Sequence, residues 1–146
     1  MRPIRVVTGL LAGALLVSCG GGGGSTGPDV PTPGNLTVML GASAPAGAGA
    51  VLLTVSGGAK AIDTLTAAAG LTSYPHRLNP GSFRAVLIGP IAPGALAKVH
   101  VPDTRIASSY SVTIAAVANN TTFAPMLTGG FPVTLAAPRR ARISGP

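Results

Sequence analysis

The chain has no tryptophan, no glutamate and one cysteine, and its only acids are Asp29, Asp63 and Asp103. Each shortage excludes something. A single cysteine forms no intrachain disulfide, so a disulfide-stapled framework is out. Three scattered carboxylates are poor material for a calcium site. Paired-carboxylate glycoside hydrolysis would require Asp63 and Asp103 to face one another. Two histidines with no His/Cys/Asp spacing around them do not make a zinc site. No G-x-S-x-G elbow is present, and His76 and His100 are the only bases a hydrolytic triad has to draw on. No catalytic, metal-binding or cofactor-binding residue is therefore expected.

Aromatic residues make up 3% of the chain. They are Tyr74, Phe83, Tyr110, Phe123 and Phe131, and the pattern sends Phe83 and Tyr110 to the core. Few are left to stack on sugars, which ranks glycans below proteins as expected ligands. Charged residues are 9%, against roughly 25% in ordinary soluble domains. No basic stripe is interleaved with aromatics, so nucleic acid is not an expected partner. Glycine and proline together supply 35 of the 146 residues and cut the chain into pieces too short for long helices.

The N-terminus is basic and then apolar. Arg2 and Arg5 precede a stretch from Val6 to Val17 interrupted only by Thr8, Gly9 and Gly13. That is short of the ~20 residues a membrane-crossing helix needs and fits the apolar region of a secretory signal. Leu16-Val17-Ser18-Cys19 then resembles the lipobox of bacterial lipoproteins: an aliphatic residue, a tolerant position, a small residue, cysteine. The resemblance implies cleavage between Ser18 and Cys19, a diacylglyceryl thioether on Cys19 and further fatty acylation of the new amino group. Such a cysteine holds the protein to a membrane, because two or three acyl chains make a stable anchor. Gly20 follows where aspartate would imply inner-membrane retention in enteric bacteria, so the same resemblance leans to the outer membrane of a Gram-negative envelope. Residues 20–34, GGGGGSTGPDVPTPG, read as a tether, flexible at first and stiffened by Pro28, Pro31 and Pro33. Without the signal, eight Lys/Arg stand against three Asp, a modest positive balance that favours anionic surfaces.

The expected organisation is a signal peptide at 1–18, lipidated cysteine and linker at 19–34, a β-domain at 35–137 and a basic tail at 138–146. Short alternating runs set the strands of the domain. Leu36, Val38 and Leu40 share one face, as do Val51, Leu53 and Val55. Phe83–Ile88 is a third run, closed by Gly89-Pro90. Ala97, Val99 and Val101 oppose Lys98 and His100. Tyr110, Val112, Ile114 and Ala116 oppose Ser111 and Thr113, and Phe131–Leu135 is a last short run. Ile62–Ala68 and Leu71–Leu78 read as strand or as something less regular. The total of six to eight strands predicts an all-β fold, a single antiparallel β-sandwich. The order of the runs resembles immunoglobulin-like and cohesin-like sandwiches of bacterial surface proteins, without the cysteine pair and tryptophan of antibody domains and with no dockerin-contact residue to carry over.

The remaining polar residues have plain readings. His100 is a solvated strand histidine beside Lys98, and His76 belongs to a proline loop, Tyr74-Pro75-His76-Arg77. Asp103 is a turn residue. Asn35-Leu36-Thr37 and Asn119–Thr122 match glycosylation acceptors but read as turns, with asparagine suited to left-handed backbone at 119–120. Arg139-Arg140-Ala141-Arg142 is a solvated tail or an electrostatic foot on anionic headgroups. The expected function is a membrane-anchored, non-catalytic envelope domain that binds a protein or a glycan or serves as an accessory part of an envelope complex, with no small-molecule ligand assigned. The alternatives are a structural envelope protein without a ligand, and a small hydrolase, which demands a concave site holding His76 or His100 beside a hydroxyl and an aspartate.

Overall fold

Leu36, Val38 and Leu40 are buried while Thr37 and Met39 point away, and this two-residue period builds strand β1, Gly34–Leu40. The structure is a computed structural model that describes residues 30–138; the signal segment, Ser18, Cys19, residues 20–29 of the tether and the tail from Arg139 lie outside the described residues. The further strands are β2 (Ala48–Ser56), β3 (Thr64–Ala67), β4 (Thr72–Asn79), β5 (Ser82–Ile91), β6 (Gly94–Val101), β7 (Ser111–Asn119), β8 (Pro125–Met126) and β9 (Val133–Ala136). Two 3-10 turns, Thr104–Ser109 and Thr128–Gly130, complete the regular elements among the described residues.

The strands form two antiparallel sheets, in the orders β3-β6-β1-β9 and β4-β5-β2-β7-β8. The architecture is an all-β, two-sheet sandwich. Its core lies between the sheets, with Leu36, Val38, Val99 and Val101 on one side and Val51, Leu53, Val55 and Leu87 on the other. Phe83 and Tyr110 are buried with them. The two uncertain segments are both strands. β3 places Leu65 against the core, and β4 is an edge strand paired only with β5. Pro75 and His76 lie inside β4, not in a loop, because an edge strand tolerates a proline that has no N–H to donate.

Bulges change two expected features. Gly89-Pro90 does not end the third run: β5 continues to Ile91, and both residues stand opposite Gly49 of β2. Gly89 adopts φ +142°, a backbone that favours glycine. In β7 the register slips between Leu52 and Leu53 of its neighbour, leaving Ala115 as the extra residue. Ile114 therefore packs inward while Ala116 turns outward, and the two do not share a face as the alternation predicted.

Two side chains tie the sheets where the chain crosses from β2 to β3. Arg77 donates from Nη1 to the Ile62 carbonyl (2.9 Å) and from Nη2 to the Asp63 carbonyl (2.7 Å), with its guanidinium 4.4 Å from the centre of the Phe83 ring. The Tyr110 hydroxyl donates to the Ala61 carbonyl (3.1 Å). Burial, with lesser effects from the charges of Asp103 and Asp63, pushes that phenol above its ordinary pKa.

Candidate functional site: the outer face of the five-stranded sheet

A sheet with one face on the core and one in water is expected to alternate apolar inward and polar outward. The four-stranded sheet obeys over most of its length. Its outward rows are Thr64, His100 and Asn35, then Thr66, Lys98, Thr37 and Ala136, with Met39, Ala95 and Thr134 at the far end. The five-stranded sheet does not. Register aligns Thr72, Ile88, Ala50, Ala118 and Pro125 in one outward row, and Tyr74, Val86, Leu52 and Ala116 in the next. The face turns polar from the third row, with His76, Arg84, Thr54 and Thr113, followed by Ser56 and Ser111. Ile88 is 45% and Tyr74 61% exposed, so these side chains meet solvent with no covering layer from the described residues.

Local sequence makes the relief of this face. β2 and β7 contribute small floor residues, Gly49, Ala50, Ala116 and Ala118, and β5 contributes the taller Val86, Ile88 and Pro90. On the other side the β7–β8 turn raises Phe123, which is 80% exposed and has φ +57°. A bulky side chain in the left-handed region is a true outlier, and such strain concentrates at functional sites. The turn is held by Asn119, whose Oδ1 accepts from the N–H groups of Thr121 (2.8 Å) and Thr122 (3.0 Å). The left-handed residue here is thus Phe123, whereas the sequence had pointed to asparagine.

Between the two ridges runs a cleft of about 400 Å³ at the Gly49 end, continued by one of about 240 Å³ over Leu52 and Ala116; Ala50, Ala118 and Phe123 line both. Glycines create the upper end. A Cβ at Gly49 would stand 2.6 Å from that of Asn120, and one at Gly89 would stand 2.7 Å from the Gly70 carbonyl oxygen. The bulge that prolongs β5 and the absence of side chains at 49 and 89 are therefore one construction.

The residues weighed for chemistry lie elsewhere or apart. His100 sits on the opposite, four-stranded face, with Nδ1 3.2 Å from Asn35 Oδ1 and Nε2 3.8 Å from Asp63 Oδ2. His76 is exposed on β4 across from Arg84. Neither histidine lines the clefts described here or a third near Thr32 and Thr104, so the concave histidine site that a small hydrolase demands is not formed there. Asp103 caps the first 3-10 turn: Oδ1 accepts from the N–H of Thr32 (3.2 Å) and Arg105 (3.0 Å), and Oδ2 from Arg105 Nη2 (2.9 Å). The hydrogen bonds from the Arg105 side chain, with further help from backbone N–H groups and the guanidinium charge against opposing desolvation, hold its carboxyl far below the usual range. Among the described residues no group of three His, Cys, Asp or Glu is placed to hold a metal ion, and no helix is long and apolar enough to cross a membrane.

The outward rows were missed in the sequence, yet their signal is there. Val51-Leu52-Leu53 and Ala85-Val86-Leu87-Ile88 are apolar without interruption. A strand apolar on both faces is either buried on both or carries a working outer face. No protein-family model matches the chain, and no curated protein or solved structure shows significant similarity to it.

Proposed function

We propose that this chain is a lipid-anchored envelope protein whose sandwich is a non-catalytic binding module, and that the outer face of its five-stranded sheet takes an apolar partner. The binding reading rests on one observation: two adjacent outward rows, from Tyr74 to Ala116 and from Ile88 to Pro125, are apolar where a solvated sheet face should be polar. The anchor rests on the run Leu16-Val17-Ser18-Cys19 behind a basic, apolar leader, which favours a diacylated Cys19 at the outer membrane. The two-sheet order is compatible with an immunoglobulin-like or cohesin-like relation, proposed at the level of pattern alone.

The binding reading is tested with a hydrophobic fluorophore of the anilinonaphthalene sulfonate type and the natively folded full chain. The fluorophore should brighten on the wild type and lose most of that signal on Leu52→Thr/Val86→Thr. Equal brightening of the two would refute the site. The anchor is tested by mass spectrometry of the N-terminus in the native host. The expected species begins at a diacylglyceryl-modified Cys19, and a free thiol at that position would refute it.

A further inference from the structure

The binding reading leaves the partner open, and the shape and chemistry of the groove narrow it. The groove follows β2 from Leu52 to Gly49, walled by Val86, Ile88 and Pro90 on one side and by Phe123 on the other, with Thr54 and Arg84 in the row below it. Counted out to Arg84, the seven residues of β5 from Arg84 to Pro90 span six steps, a length of about 20 Å at about 3.3 Å per residue. A width of two to three strand spacings gives about 10–14 Å. The floor is therefore about 200–280 Å², well below the ~800 Å² per partner of a stable protein interface. A second copy is disfavoured on a further ground. The face carries Arg84 and His76, while Asp63 and Asp103, the acids among the described residues, belong to the other sheet's side, so a self-paired face offers Arg84 no acid.

An extended peptide or a sugar is disfavoured by the floor itself. β2 is hydrogen-bonded on both sides, to β5 and β7, and β7 to β2 and β8 along the groove, so the floor's backbone groups are committed. The exposed floor atoms are methyl groups of alanine and leucine. A ligand with amides or hydroxyls would lose water there without gaining partners, at a cost of about 1–3 kcal/mol for each polar group. An alkyl chain loses nothing. The asparagines at the upper end have their Oδ1 atoms engaged inside the turn, Asn119 by Thr121 and Thr122 and Asn120 by the Thr121 hydroxyl. Beyond the lower end, where the lining stops at Leu52, Val86 and Ala116, the next outward row of the sheet carries the exposed Arg84, with His76 opposite it on β4.

Building on the apolar-site reading, we infer that the groove binds one free amphiphile of the fatty-acid class, its alkyl chain lying along β2 between Phe123 and Ile88 and its anionic head at Arg84. The cleft volume falls in the range of small-ligand sites, about 300–1,000 Å³. The head-group contact is exposed and supplies orientation more than affinity. An exposed ion pair of about 0.2–1 kcal/mol corresponds to a change of about 1.4- to 5-fold in Kd.

The test is calorimetric titration of the full chain carrying Cys19→Ser, which removes the expected lipid. The probes are dodecanoate and hexanoate below their micelle concentrations, dodecyltrimethylammonium, and vesicles of anionic phospholipid. Dodecanoate should bind, and hexanoate should bind at least about tenfold more weakly, since each buried methylene is worth about 0.8 kcal/mol. Arg84→Gln should weaken dodecanoate by about 2- to 5-fold and leave dodecyltrimethylammonium unchanged or tighter. Phe123→Ser, at a position with no core contact, should weaken both while the circular dichroism spectrum stays native. If the two dodecyl probes bind alike and Arg84→Gln changes neither, the head-group assignment is overturned while the apolar site stands. Binding to vesicles without binding to dodecanoate overturns the free amphiphile in favour of a bilayer surface. If no probe binds and the fluorophore test also fails, the inference and the reading beneath it fall together.

Discussion

Leu52 and Leu53 are chain neighbours that point to opposite faces of β2, and the difference between them can be measured. Leu53 is 0% exposed and packs in the core across from Ile114 and Ala85. Truncating such a leucine to alanine removes its transfer energy and leaves a cavity, at about 2.7–5 kcal/mol. Leu52 is half-buried on the outer face across from Val86 and Ala116. Full burial of a leucine is worth about 1.5–3 kcal/mol. Leu52 gets only part of that, and threonine suits a strand, so Leu52→Thr should cost about 1 kcal/mol or less. The gap of about 2 kcal/mol or more corresponds to about 8–16 °C in Tm for a domain of this size. Urea unfolding followed by circular dichroism, with thermal melts of the same samples, reads both. Leu53→Ala should lower the midpoint sharply at constant slope, and Leu52→Thr should leave it nearly in place while reducing fluorophore brightening. If Leu52→Thr destabilises as much as Leu53→Ala, the outer face is covered in the folded protein and the argument for a binding surface is wrong.

Two other outcomes follow from the side chains that hold the sandwich together. Asp103 has a depressed folded pKa, so its stabilising effect is complete above the ordinary carboxyl value of about 3.9 and is lost as pH falls below about 4 through the folded value; Asp103→Asn should remove that share of the acid dependence, which urea midpoints measured between pH 2 and pH 6 will show. Arg77→Lys keeps the charge but not the fork that reaches two carbonyls at once, so it should cost about 1–3 kcal/mol in the same unfolding assay; an unchanged midpoint would mean that the crossing from β2 to β3 does not depend on Arg77.

The sheets were legible in the sequence wherever a period of two survived. Leu36-Val38-Leu40, Val51-Leu53-Val55 and Ala97-Val99-Val101 are core faces as their spacing implied. What escaped had a physical cause in each case. A bulge is one inserted residue, and alternation read across Ala115 assigns Ala116 to the wrong face. Gly89-Pro90 carries the chemistry of a turn, and only the partner strand, with Gly49 opposite, makes it a bulge inside β5. β4 hid because an edge strand needs no apolar face of its own: its residues are largely exposed, and its inward Arg77 works through hydrogen bonds and a ring contact. The groove escaped because attention to the core face of each strand leaves the other face unread.

The distribution of charge gives the outer face a direction. β1 enters at Gly34, near Thr104, and ends at Leu40, beside Gly94. The β7–β8 turn with Phe123 lies at that second end, where the Asn120 N–H bonds to the Gly47 carbonyl. Among the described residues, Lys60, Asp63, His76, Arg77, Arg84, His100, Asp103 and Arg105 gather toward the end where the chain enters, Lys98 lies midway along β6 across from Thr37, and no charged side chain occurs from Ile106 to Pro138. Leu127, 91% exposed just after β8, adds an exposed apolar side chain to this uncharged stretch. Solubility alone does not call for this arrangement, since exposed apolar strand faces carry a risk of association that scattered charge would suppress. Placing a charge on Ala50, Ala116 or Ala118 would cost little in the core and would remove that risk. The chain instead keeps small apolar residues along the floor, a strained phenylalanine on the wall and a single arginine in the row beyond the groove. That combination makes sense for a surface that is filled by a ligand, whose apolar end lies away from the end where β1 enters.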